Sequence, residues 1–278
     1  MVRASSAGKI CSTRLKSNTI EFSNAVEDLD AAAEKKKVKI EYTTSGLKTA
    51  LLVPGLKTKL QAVIKQKEAK DKFILDPLPP GAMSYMKEVW LEKEGFINIT
   101  NRIGNNATKK GNLCEDSAIL LLSVIDNFVY TKEIDRVKSG FIGGTADIII
   151  QSQSKVIDIK CPENWNSFKS KKELPSEYYW QLIAYCMLYK VTKAEIVYVL
   201  MPDPIEIQET YAKKLSEVNF KKYLDMNEKI SNLPHLKRVK RFSIPESNIP
   251  EDIEFLKKRI KKCEKYFNSL NYKICMNL

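Results

Sequence analysis

The chain has 278 residues, enough for one domain with elaborations or for two small ones. Its 44% apolar content supports a packed core, while 46 Lys and Arg against 34 Asp and Glu leave a formal charge of +12 and a basic surface that suits a polyanion such as nucleic acid. No apolar run approaches the roughly 18 residues of a membrane span, no cysteine pair has C-x-x-C spacing, and a single histidine, His235, excludes histidine-rich zinc sites.

The opening MVRASSAGKICSTRLKSN has no apolar stretch of signal-peptide type, so a cytoplasmic protein with no membrane partner is expected. Cys11, Cys114, Cys161, Cys186, Cys263 and Cys275 read as single buried thiols. Residues 25–37 predict a short helix with acids early and lysines late, as the helix dipole favours. The lysine-rich residues 56–72 predict another. DPLPPG at 76–81 breaks the chain, and AMSYMKEVWLEKEG after it predicts an amphipathic helix stopped by Gly95. GNLCEDSAILLLSVID at 111–126 has helical apolar spacing. Strands are expected over 128–138, 141–150 and 155–160, the second entered through Gly143–Gly144 and left through the polar turn QSQS. A loop at 161–175 leads to the helix SEYYWQLIAYCMLYK and the strand AEIVYVLM. Helical stretches follow Pro204, then a basic segment, LKRVKRF, and a final helix after Pro250. On that helix Ile253, Leu256, Ile260, Cys263, Phe267 and Leu270 form one apolar stripe for packing.

The chemistry concentrates in GGTADIIIQSQSKVIDIKCP. Side chains alternate along a strand, so in KVIDIK Val156, Asp158 and Lys160 share one face, and Ile157 and Ile159 share the other. A preceding strand joined by a short turn brings Asp147 close to Asp158. Two carboxylates held together repel unless a positive charge sits between them. A divalent cation does this, and Mg²⁺ takes one or two carboxylates with waters and phosphate oxygens. A lysine beside it can orient or help deprotonate a water, or offset transition-state charge on a phosphate. The plain alternative is a salt-bridged Asp–Lys pair at a sheet end. Glu115, on the preceding helix, is a candidate third acid. Gln181 and Tyr185 lie four apart on the following helix and share a face.

GGTADIII, VIDIK and QLIAY together resemble the PD-(D/E)XK nuclease superfamily, and within it the phage YqaJ/lambda-exonuclease recombination nucleases. The resemblance spans about 83–205, and RASSAGKI also looks like that group. It implies an α/β fold: a restriction-endonuclease-like core of helix, three strands, helix and strand, with a central mixed sheet flanked by helices. The expected division is a basic, helical N-terminal extension at 1–82 packing on the core, the nuclease core at 83–205, and a C-terminal helical extension at 206–278. Helical additions thus flank the core on both sides.

The resemblance makes Asp147, Asp158 and the Ile159 carbonyl metal ligands, with Glu115 near the metal. It makes Lys160 the catalytic lysine and Gln181 and Tyr185 the Q-x-x-x-Y pair, Gln181 acting in catalysis and Tyr185 against DNA. Arg3, Ser5, Ser6 and Lys9 fall where the 5′-phosphate of a DNA end is received. The implied activity is a Mg²⁺-dependent deoxyribonuclease, with Mn²⁺ as a substitute metal, acting 5′ to 3′ on double-stranded ends to leave single strands for recombination. The implied partners are DNA and a single-strand annealing protein. Processive relatives form rings, and nothing in this sequence specifies an oligomer. The second acid is Asp where Glu is commoner, and the histidine of the RecB branch is absent. The cysteine pattern gives no reason to expect an iron–sulfur cluster. An endonuclease of the same fold, or a catalytically silent DNA-binding module, are the alternatives.

Overall fold

The computed structural model describes residues 1–11, 13–36, 55–75, 78–96 and 106–275; of 13–23, 67–75, 106 and 271–275 it describes the backbone alone. In chain order the strands are β1 (Val2–Arg3), β2 (Val137–Ser139), β3 (Ile142–Gly144), β4 (Ile148–Ile150), β5 (Lys155–Lys160), β6 (Lys193–Val199) and β7 (Val239–Ser243). The helices are α1 (Ala7–Ile10), α2 (Thr13–Lys35), α3 (Lys57–Leu75), α4 (Pro80–Lys93), α5 (Asn106–Asp126), α6 (Trp165–Lys169), α7 (Ser176–Tyr189), α8 (Ile205–Ala212), α9 (Glu217–Ser231) and α10 (Ile249–Cys275).

The strands form two sheets, β1-β3-β2 and β4-β5-β6-β7. In the second, β5 and β6 run parallel, with antiparallel β4 and β7 at the edges. Helices cover both faces, which explains why KVIDIK and AEIVYV read as nearly continuous apolar runs. On one face Val156, Ala194 and Ile196 pack with Trp180, Ile183 and Ala184 of α7 and with Leu256 and Phe267 of α10. On the other, Ile157, Ile159, Val197 and Val199 pack against Ala118, Ile119 and Leu122 of α5. The fold is therefore an α/β PD-(D/E)XK-like core with helical additions.

Residues 2–11 belong to the main core, through Val2, Ala4, Ala7, Ile10 and Cys11. Two glycines permit this. A Cβ on Gly8 would lie 2.7 Å from Glu177 Cα on α7, and one on Gly144 would lie 2.6 Å from Ala4 Cβ. By contrast, α2 and α3 close over a cluster of their own, built from Leu29, Ala33, Leu56, Leu60 and Val63. The α10 stripe is buried at Leu256, Ile260, Cys263, Phe267 and Leu270, as packing requires.

Four expectations change. The strand predicted over 128–138 shrinks to β2 and a single bridge between Lys132 and Ile148. The strand predicted over 141–150 splits into β3 and β4, because the Ala146 N–H turns to donate to Tyr189 Oη (3.2 Å) and the two halves join different sheets. The segment LKRVKRF contains a strand, β7, which pairs with β6. Its cations are used internally: Arg241 pairs with Asp126 at 2.6 Å, and Lys240 Nζ donates to the carbonyls of Phe168, Lys169 and Lys171 at 2.9–3.0 Å. Helix α5 begins at Asn106, ahead of the predicted 111–126, so Glu115 sits well inside it. Among the described residues, no helix is long and apolar enough to cross a membrane.

Candidate active site

The register of β4 and β5 pairs Ile148 with Ile157, and one step further it sets Asp147 opposite Asp158. Asp147 leads into β4, and its Oδ2 accepts the Ile159 N–H at 2.6 Å. Asp158 lies in the middle of β5, under α7, and is only 1% exposed. The face it shares with Val156 is thus buried and not open to solvent, unlike the simple two-faced strand. Its Oδ1 accepts from Gln181 Nε2 at 2.8 Å, and the same Nε2 reaches Tyr185 Oη at 3.1 Å. The four-residue spacing on α7 therefore builds one chain, Tyr185–Gln181–Asp158.

Asp158 Oδ2 is 2.5 Å from Lys160 Nζ. The contact is a close ion pair, and among the described residues no donor other than Lys160 reaches this buried oxygen. Lys160 ends β5, with its side chain 26% exposed and its Nζ 5.1 Å from the centre of the Tyr178 ring. Burial first, then the neighbouring Asp158 charge, push the Asp147 carboxyl up to about 8, against the pull of Lys160 and the Ile159 N–H. Burial also raises Asp158, with Lys160 opposing. For Lys160, burial acts to lower the pKa, but Asp158 and Asp147 outweigh it and hold the ammonium charged well above the lysine range.

Asp147, Ile159, Lys160, Tyr178 and Gln181 line a cleft of about 540 Å³ with Ser5, Glu115, Ser167, Lys171 and Tyr198, and Asp158 lies buried just behind them. Glu115 stands on the α5 wall, its carboxylate 2.9 Å from Lys132 Nζ, and its charge adds to the upward push on both aspartates. Among the described residues, no three His, Cys, Asp or Glu side chains converge on one point. The donor set is therefore two carboxylates with the main chain of Ile159 at the cleft wall. It fits Mg²⁺, which needs one or two carboxylates and fills its remaining positions with water and phosphate. The mutual repulsion of the two acids is what a cation would relieve.

The four N-terminal candidates do not act as one group. Ser5 reaches the cleft. Arg3 pairs with Glu92 at 2.7 Å and Lys9 with Glu88 at 3.6 Å, both on α4, and Ser6 does not line the cleft. Lys171, Ser167 and Tyr198 are cleft residues that sequence reasoning missed. Tyr198 had a signal: a phenol in an otherwise aliphatic strand. It is in register with Lys160, and its buried hydroxyl has no hydrogen-bond partner. The loop carrying the others is fixed from outside by Lys110, which donates to the Glu163 carbonyl at 2.9 Å and pairs with Asp203 at 2.6 Å.

No family model matches the chain, and no curated protein matches it. Among solved structures, it is similar to a phage-related exonuclease from Haemophilus somnus 129PT, with 26% identity, 71% of this chain and 85% of that chain covered, and a TM-score of 0.58. It is also similar to an alkaline exonuclease from Laribacter hongkongensis, with 15% identity, 74% and 91% covered, and a TM-score of 0.48. That enzyme in complex with dAMP gives 17% identity, 72% and 88% covered, and 0.47. The likeness to lambda-exonuclease-like nucleases read from GGTADIII, VIDIK and QLIAY thus holds in three dimensions.

Proposed function

We propose that the chain is a Mg²⁺-dependent deoxyribonuclease that digests one strand of duplex DNA from a 5′ end, leaving single strands for recombination. One observation carries this reading: half-buried Asp147 and buried Asp158 lie side by side under an open cleft, next to a charged lysine. A salt bridge serving structure alone needs no second carboxylate beside it and no cleft above it. Similarity to a phage-related exonuclease supports the choice of exonuclease over endonuclease.

Asp147, Asp158 and the Ile159 carbonyl would hold the metal, with Glu115 nearby. A bound Mg²⁺ supplies the charge that keeps both carboxylates ionised and polarises a phosphate oxygen and a water. Gln181 fixes the rotamer of Asp158, and the Ile159 N–H fixes that of Asp147. Lys160, held beside the two acids at the cleft, would stabilise charge on the phosphate. Ser5 stands where the terminal nucleotide enters. Mn²⁺ would substitute for Mg²⁺, the location would be the cytoplasm, and a single-strand annealing protein would take the product.

The deciding experiment incubates the purified protein with Mg²⁺ and end-labelled duplexes, with and without a 5′-phosphate. Stepwise release of nucleotides from the 5′ end is expected, faster on phosphorylated ends. Internal cuts would make it an endonuclease, and tight binding without any cleavage would make it a silent binding module.

A further inference from the structure

A second cavity of about 540 Å³ lies behind the wall of the cleft. One side is made by Asn164, Trp165 and Asn166, and the other by Met226, Ile230 and Leu233. Its size falls in the range of roughly 300–1,000 Å³ typical of pockets for small organic groups. Trp165 is 38% exposed, yet it is rigidly mounted. Asn164 and Ser167 form a reciprocal cap at the start of α6, with hydrogen bonds of 2.9 and 3.0 Å. Lys240 holds the carbonyls at the helix end. Phe168, buried beneath, supports the indole at 6.0 Å between ring centres. An exposed aromatic ring fixed at both ends of its helix loses little entropy when it receives a partner.

The two cavities share α6. Trp165 faces this pocket and Ser167 faces the cleft. At 3.6 residues per turn, positions two apart project to nearly opposite sides of a helix. The pocket is thus about one helix width, on the order of 10 Å, from the cleft. A DNA strand with a phosphodiester in the cleft would reach it by crossing the short helix α6. The lining suits a heteroaromatic ring: a flat indole and aliphatic floor for its faces, amide groups on one wall for its edge, and Lys229 to meet the phosphate attached to it.

We propose that this pocket binds an unpaired nucleobase of the strand engaged in the cleft, with Trp165 as the stacking surface. The proposal rests on the nuclease reading above. The test is equilibrium binding, with Ca²⁺ in place of Mg²⁺, to partial duplexes that carry one abasic residue stepped along the strand. In the wild type, one position should cost about tenfold in affinity when its base is missing, the loss of one base–aromatic stack. Trp165→Ala should bind intact DNA about tenfold more weakly and lose the sensitivity at that position. Met226→Ala, on the facing wall, should blunt the same position and serves if Trp165→Ala does not fold. No sensitive position in the wild type, or unchanged sensitivity in both variants, would overturn the pocket while leaving the nuclease reading intact. Failure to bind any intact DNA would remove both.

Discussion

At the scale of residues, the site is a balance of charges that the fold itself does not need. Half-buried Asp147 stands against buried Asp158, and the protein tolerates this where an apolar pair would pack more comfortably. Asp147→Asn keeps the oxygen that accepts the Ile159 N–H and removes one charge. It should raise the stability of the metal-free protein by about 0.5–2 kcal/mol while lowering Mg²⁺-dependent hydrolysis at least about a hundredfold. Denaturant unfolding and single-turnover assays check the two halves, and a destabilised variant would contradict the reading of a strained pair. The pH dependence follows from the raised Asp147 carboxyl, with a native value of about 8 against an ordinary 3.8. Between those values the folded chain holds a proton that the unfolded chain has released. This group's contribution to stability is therefore complete at low pH and is lost as pH rises through about 8. Thermal melts without metal should show a decline from pH 6 to 9 that Asp147→Asn lacks. Because a cation competes with that proton, added Mg²⁺ should raise Tm more at pH 8.5 than at pH 6.

At the scale of elements, β7 fastens the cleft from behind. Lys240 binds three carbonyls at the end of α6, next to Lys171 on the cleft wall. Lys240→Met should cost about 1–3 kcal/mol and speed hydrogen exchange over 165–171, with a slower enzyme although no DNA contact is removed. Unchanged exchange there would mean that the segment is held by something else. The same element marks the limit of what was legible. Alternation of lysine and arginine with Val239 and Phe242 looks like a solvated charge run, because partners such as Asp126 are more than a hundred residues away. Helices α4, α7 and α10 could be read from period and breakers, since those signals are local. The residues Asp147, Asp158, Lys160, Gln181 and Tyr185 were legible because two adjacent strands and one helix carry them. Arg3 and Lys9 were not, because their carboxylate partners sit on α4, and no local pattern announces a tertiary ion pair.

At the scale of the whole molecule, the cleft depends on a seam between distant parts of the chain. Gly144→Ala would place a methyl 2.6 Å from Ala4 Cβ and 3.2 Å from Tyr185 Cε1. It should cost about 1–3 kcal/mol and reduce activity by displacing Ser5 from the cleft. Gly81→Ala, with nothing within 4 Å of the added carbon, is the control that should leave stability unchanged or improved. Equal effects of the two would deny the seam. The seam also sets an order of events. Val2 pairs with Ile142, and Gly8 rests on α7. Residues 2–8 therefore wait for partners made much later, and closing so long a loop is slow. A nascent chain that has not yet released Tyr189 has no Gln181 in place and no surface for Gly8. The cleft is thus left unfinished in any growing chain that has not passed α7.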